Sequence, residues 1–264
     1  MRLILALLLA FFAATPAAAQ PVVKVDRQAA TEGAYTAYNS PWCAYQDKTL
    51  VAGRDYINTV SYNSGDLAQA KNVQFAWRWP DAKLRKVCGV LGYNFVAWGN
   101  YDNGKYPTPI APRQVAAIND LVFGYQVDMA GDSRLFNGLG EFYLTKVAGD
   151  ADTKAIEIGW MWNAPAETIK WAATGKQLGV FTDRYKKPWT VALNYSGVAG
   201  KYATFIPPGG KLDTGNFDGK GAIDFLRAAD VVDGLWWLNG AAIGVEPLGG
   251  AASATVRGFT PVLK

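Results

Sequence analysis

Short apolar runs broken by turn-forming residues constrain this chain more than any other feature. Such runs occupy residues 34–38, 72–79, 121–129, 140–147, 155–162, 189–195, 202–206, 238–245 and 254–259, with Gly, Pro, Asn or Asp between them. Each suits a strand and falls short of a typical helix. Many short strands that must hide one apolar face predict two packed antiparallel sheets, a β-sandwich or jelly roll, with a closed barrel as the alternative. A curved sandwich presents a concave face to a long ligand. One stretch departs from the pattern: in "GAIDFLRAADVVDGL" the residues Ile223, Leu226, Ala229 and Val232 or Asp233 recur every three to four positions between Gly221 and Gly234, which predicts a single amphipathic α-helix.

The N-terminus adds a cellular address. Arg2 precedes an apolar run from Leu3 to Ala14, and Ala17, Ala18 and Ala19 supply a small-residue cleavage site before Gln20. Residues 1–19 are therefore expected to be a secretory signal peptide, leaving residues 20–264 as one exported domain; an uncleaved anchor is the alternative. The apolar run is shorter than the roughly 20 residues a membrane span needs, and no later segment reaches that length, so no membrane association is expected. Formal charge is +4. Its Lys and Arg residues are scattered, with no basic stripe for nucleic acid. Cys43 and Cys88 are the two cysteines; in an oxidising compartment they are expected to form a disulfide, two free thiols being the alternative.

There is no histidine in the sequence. A hydrolase built from it has no Ser-His-Asp or Cys-His system and must rely on carboxylates or a Lys-activated serine. No zinc-ligand pattern is present either, and neither metal nor cofactor is expected.

Carboxylates therefore lead, and the five glutamates are unevenly placed. Glu32 and Glu167 lie in polar or loop-like surroundings, whereas Glu141, Glu157 and Glu246 interrupt apolar, strand-like runs. Side chains alternate faces along a strand. In "KAIEIGWMWNAP", Ile156, Ile158, Trp160 and Trp162 should point one way and Ala155, Glu157, Gly159 and Met161 the other. In "NGAAIGVEPLGG", Ala241, Ile243 and Val245 oppose Ala242, Gly244 and Glu246. Both glutamates thus share a face with small residues, as expected if that face is a groove floor with room for a bulky ligand. The plainer alternative is a solvated outer face, where a carboxylate costs little.

These segments resemble glycoside hydrolase family 12, secreted endo-β-1,4-glucanases and xyloglucanases with a β-jelly-roll fold. "AYTAYNSPWC" is similar to the family's early Asn-Asn-x-Trp strand, with Asn39 and Trp42 in the matching places. "RKVCGVLGYNFVAWG" resembles the segment that supplies stacking aromatics, and "NGLGEFYLTK" the Tyr-Asp strand. "IEIGWMW" is similar to the nucleophile strand, "IDFLRAADVVDGL" to the single helix, and "IGVEPLGGAASATVRGF" to the Gly-x-Glu-Pro-x-x-Gly ending. The resemblance implies that Glu157 is the nucleophile, Glu246 the general acid/base and Glu141 a carboxylate orienting the nucleophile in place of an Asp. It also implies substrate contacts from Asn39 and Trp42, and stacking of sugar rings on Trp42, Tyr93 and Trp98. Trp77, Trp79, Trp160 and Trp162 are expected in the core. Ser40, Gly159, Glu141 and Leu248 depart from the family pattern, which bears on the substrate subsites.

Family membership implies retention, with carboxyl groups about 5 to 5.5 Å apart and Glu246 the one whose pKa is raised. The expected partner is a β-glucan polysaccharide, and the expected state a monomer. Two other classes stay open: a carbohydrate-binding protein that uses the same cleft without turnover, and a structural outer-surface β protein without sugar affinity.

Overall fold

The alternation read from the sequence becomes two stacked sheets in the computed structural model, which describes residues 22–25, 29–80, 88–102, 107–197 and 199–264. The expected leader and its cleavage site near Ala19 lie outside the described residues. In chain order the strands are β1 (Val22–Val25), β2 (Ala29–Glu32), β3 (Tyr35–Ser40), β4 (Ile57–Asn63), β5 (Val73–Trp79), β6 (Tyr93–Gly99), β7 (Arg113–Gln114), β8 (Leu121–Gly131), β9 (Phe136–Thr145), β10 (Lys154–Asn163), β11 (Lys176–Thr182), β12 (Pro188–Asn194), β13 (Tyr202–Ile206), β14 (Thr214–Asp218), β15 (Trp237–Leu238), β16 (Gly240–Pro247) and β17 (Gly250–Leu263). The smaller sheet runs β1-β4-β5-β17-β8-β14. The larger runs β11-β12-β13-β10-β9-β16-β6-β3-β2, with β15 bridging β9 and β7. Among the described pairs only β10 and β13 run parallel. The fold is an all-β jelly roll, and each of the nine predicted runs lies on a strand.

Three α-helices, not one, accompany the sheets among the described residues, beside short 3-10 turns: α1 (Trp42–Gln46), α2 (Ala166–Ala172) and α3 (Gly219–Ala228). The helix predicted from periodicity is α3. It starts where the Asp218 side chain accepts from the Gly221 N–H at 3.0 Å and stops before Asp230, whose φ of 57° is left-handed. Its expected members Ala229 and Val232 fall beyond that stop. The two shorter helices carry too few turns for a period to show in sequence.

The space between the sheets holds the main core. Ile156, Ile158, Trp160 and Trp162 of β10 all point into it and are fully buried, and Trp77 and Trp79 of β5 join them, as expected. Trp160 is stacked between Phe123 and Phe217, each ring centroid 4.9 Å away. A fully buried side chain of this size contributes roughly 2 to 3 kcal/mol by removal of apolar area from water, and each favourable ring pair about 1 kcal/mol more.

Cys43 and Cys88 are disulfide-bonded, with α-carbons 5.4 Å apart, as predicted. The bond ties α1 to the segment leading into β6 and so fixes the base of the helix that carries Trp42. No helix among the described residues is long and apolar enough to cross a membrane.

Candidate active site

The opposite face of the larger sheet carries a second buried cluster, and this is where the glutamates lie. Tyr93 and Phe95 of β6, Leu139 and Tyr143 of β9, Met161 of β10, Tyr202 of β13 and Ala242 of β16 pack there with Tyr101. Glu157 shares this face, as alternation predicted, but its surroundings correct the expected floor of small residues. A β-carbon on Gly159 would collide with the Tyr202 hydroxyl, and one on Gly244 with the Asn94 carbonyl. The glycines make room for rings and backbone of neighbouring strands, not for a ligand. Glu141 and Glu157 are consequently buried, at 3% and 8% exposure.

Register explains how the carboxyls meet. Glu157 pairs with Tyr143 across one edge of β9, and Glu246 pairs with Asn137 across the other. On a flat sheet that offset would hold the two α-carbons roughly 20 Å apart. Yet Glu157 and Glu246 line one cleft of about 360 Å³, and Glu246 is close enough for its charge to raise the pKa of Glu157. Glu141, opposite both Gly159 and Ala242, lies between.

Each carboxyl has defined partners. Tyr101 donates its hydroxyl proton to Glu141 Oε1, Tyr143 donates to Glu157 Oε1 at 3.4 Å, and Asn137 Nδ2 donates to Glu246 Oε2 at 2.9 Å. Burial pushes the Glu141 carboxyl well above its ordinary value, and the negative charge of Glu157 pushes it further. Burial also raises Glu157, to about 7, while a hydrogen bond from Glu141 opposes the rise. Glu246 is raised to about 8, burial again leading and the Asn137 donor opposing. The ordering of partners gives one direction of donation: Tyr101 to Glu141, and neutral Glu141 to ionised Glu157. Lys154 adds a positive charge that favours ionised Glu157; it lies 4.6 Å from the Tyr143 ring centre and 2.9 Å from Asp102.

Of the residues expected to bind substrate, Trp42 lines the cleft and is 36% exposed. Tyr93 is on the correct face but sealed beneath it, its ring 6.1 Å from that of Trp42. Trp98 points the other way, into the core between the sheets. Asn39 also faces inward: its Nδ2 donates to Asn58 O at 2.8 Å, and Asn58 Nδ2 donates to both Asn39 Oδ1 and Asn94 Oδ1. The three asparagines stitch β3 and β6 to β4 of the smaller sheet, so Asn39 and Trp98 are structural. Leu248, one of the departures, lines the cleft as an aliphatic wall.

Several lining residues were not anticipated: Asn137, Thr168, Trp171, Gly197 and Tyr202. Asn137 was within reach of alternation, because it shares a strand face with Leu139 and Glu141. Thr168 and Trp171 belong to α2, which no periodicity announced. Gly197, with φ of 78°, brings backbone against the nucleophile candidate, since a β-carbon there would lie 2.6 Å from Glu157 Oε2.

No protein-family model matches this sequence, and no curated protein matches it by sequence. Solved structures do match by shape. Endoglucanase 3 of Trichoderma harzianum, from family GH12, superposes with a TM-score of 0.70 at 15% identity, over 95% of this chain and 100% of that one. The catalytic domain of Humicola grisea Cel12A gives 0.69 at 16% identity, over 92% and 99%. The family 12 xyloglucanase of Bacillus licheniformis gives 0.68 at 15%, over 92% and 100%. The chain has the fold of these enzymes.

Proposed function

We propose that this chain is a member of glycoside hydrolase family 12: an exported, monomeric, retaining endo-β-1,4-glucanase that cuts cellulose-like β-glucan or xyloglucan. One observation carries the reading. Glu157 and Glu246 converge from different strands on a single cleft of that fold, and although burial raises both, not Glu246 alone as expected, Glu246 is raised further and keeps its proton to higher pH than Glu157. Export after removal of residues 1–19 is supported by the Cys43–Cys88 bond, since disulfides persist in oxidising compartments.

Two carboxyl groups suffice for the chemistry. Ionised Glu157, held by donors from Tyr143 and Glu141, attacks the anomeric carbon and forms a covalent glycosyl-enzyme. Protonated Glu246 gives its proton to the leaving oxygen, then takes one from the water that releases the sugar. Glu141 is a positioning residue: as a neutral acid it orients Glu157 without competing for the substrate. Trp42 and Trp171, both partly exposed on the cleft, offer flat faces to sugar C–H groups.

Reducing-sugar release from carboxymethyl cellulose, mixed-linkage β-glucan and xyloglucan, with NMR of the first anomer formed, tests the reading. Release of the β-anomer first is expected. Binding without release, unchanged in Glu157→Gln, would instead make the chain a carbohydrate-binding protein.

The pH profile follows from the same groups. Glu157 must lose its proton and Glu246 must keep one, so kcat/KM is expected to fall below pH about 7 and again above about 8. The limbs belong to the coupled set rather than to single residues. Initial rates across pH check this; an optimum near about pH 5, close to an ordinary carboxyl, would show that burial does not set the limbs.

A further inference from the structure

Helix α2 touches the cleft through Glu167, Thr168 and Trp171, and one of these contacts reaches the general-acid candidate indirectly. Thr168 is buried, at 6% exposure, and donates its hydroxyl proton to Asn137 Oδ1. Asn137, equally buried, donates from Nδ2 to Glu246 Oε2 at 2.9 Å. An amide has a donor end and an acceptor end, and rotation by half a turn exchanges them. Whichever end faces Glu246 decides which protonation state is favoured: N–H favours the carboxylate, C=O the acid.

We propose that Thr168 is a positioning residue for Glu246, locking the Asn137 amide so that its N–H end, not its carbonyl, faces the Glu246 carboxyl. The inference rests on the catalytic reading of Glu246 for its consequence in turnover, but not for its geometry. The helix is well anchored for this task. Asn163, just before it, donates from Nδ2 to Ser133 O and Phe136 O, each at 2.8 Å. Asn194 Nδ2 donates to Trp171 O at 3.3 Å, and the Trp171 ring packs 5.7 Å from that of Tyr202. Thr168 therefore holds a fixed place above Asn137.

Other groups act on Glu246 too and must be held constant. Glu141 of β9 and Glu157 of β10 are its acidic neighbours, Glu167 of α2 lines the same cleft, and the Tyr93 and Tyr202 hydroxyls lie within its field. A Thr168 substitution touches none of these charges.

The relay makes its donor end a brake on Glu246 protonation, partly offsetting burial. Thr168→Val keeps the shape but removes the hydroxyl, freeing the amide to turn its carbonyl toward Glu246. The midpoint of Glu246 should then rise by about one pH unit, while Thr168→Ser, which keeps the hydroxyl, should leave it in place.

The test is a 13C titration of the full-length protein with carboxyl-labelled glutamate, whose five glutamates give few enough resonances to assign by single substitution. It is paired with the basic limb of kcat/KM on mixed-linkage β-glucan. An upward shift in both readouts for Thr168→Val, absent in Thr168→Ser, supports the relay. An unmoved or lowered midpoint in folded Thr168→Val overturns it. Asn137→Ala provides a second route, since removing the donor itself should also raise the midpoint; no change there overturns the proposal as well. If wild type releases no sugar, the catalytic reading fails while the NMR midpoint still decides the relay.

Discussion

Glu157→Gln is expected to lower turnover of soluble β-glucan by roughly 10⁴-fold, the scale on which loss of one member of a covalent catalytic unit falls, while making the protein more stable at alkaline pH. The first effect follows from chemistry: an amide cannot form the glycosyl-enzyme. The second follows from burial. The folded pKa of Glu157 is raised to about 7, so between its ordinary value and about 7 the folded state holds a proton that the unfolded state has released. Stability must therefore fall as pH rises through that window and remain lowered above it. A neutral Gln, able to accept from Tyr143 and Glu141 as Glu157 does, escapes this cost. At pH 8 the gain should be on the order of 2 kcal/mol, or about 4 to 8 °C in Tm; at pH 4 it should vanish. Calorimetry at the two pH values, beside the rate measurement, checks both halves. A variant that lost activity and stability together would mean that Glu157 holds the fold together, and the nucleophile assignment would lose its physical support. Azide offers a further check: with Glu157→Ala it should restore part of the turnover and yield a glycosyl azide of inverted configuration, because the small anion occupies the space that the carboxylate vacates.

The opposition between activity and stability explains why the three glutamates were conspicuous in the sequence. A charge in an alternating apolar strand conflicts locally with the fold, and such conflicts gather at functional sites. Alternation put Glu157 and Glu246 each on the strand face opposite the large apolar residues without reference to any other protein, and in the structure that face is the cleft side of the larger sheet. It was less useful on β6, where all seven residues of "YNFVAWG" are buried because rings cover both faces; burial then carries no phase. Counting from Tyr93, which does face the cleft side, puts Asn94, Val96 and Trp98 inward. Motif position alone made Trp98 a sugar platform. Asn39 fails for the same reason, lying inward with Ala37 on β3. The reading of Gly159 as empty space failed because its occupant, Tyr202, arrives from a strand more than 40 positions later, and only the parallel pairing of β10 with β13 brings that ring over the glycine. Helix α2, at seven residues, is too short to nucleate or to display a period on its own, so Thr168 and Trp171 were silent in the sequence.

Gly140→Ala tests the packing that holds the candidate site in place. Gly138 and Gly140 of β9 point into the core between the sheets, beneath the two largest rings of β10. A β-carbon on Gly138 would sit 2.5 Å from three atoms of the Trp162 ring, and one on Gly140 would lie 2.0 to 2.5 Å from three atoms of the Trp160 ring. Trp160 cannot retreat, being fully buried and sandwiched between Phe123 and Phe217. The single methyl should therefore cost about 3 kcal/mol, the upper end of over-packing penalties, lowering Tm by roughly 6 to 12 °C. Gly258→Ala is the matched control: no atom of the described residues lies within 4 Å of its β-carbon, so it should be neutral or slightly stabilising through the unfolded state. The mechanism makes a sharper demand on the double variant. Trp160→Phe gives up ring area but no hydrogen bond, since the Trp160 indole N–H has no acceptor among the described residues, and the smaller ring leaves room for the methyl. Gly140→Ala combined with Trp160→Phe should accordingly lose less stability than the two single changes added together, a favourable coupling of at least about 1 kcal/mol in a double-mutant cycle. Strict additivity in that cycle would mean that the Gly140 penalty comes from the strand backbone rather than from the indole. Glu141, one residue further along β9 and on the opposite face, would then owe its position beside Glu157 to strand geometry alone and not to the Trp160 stack.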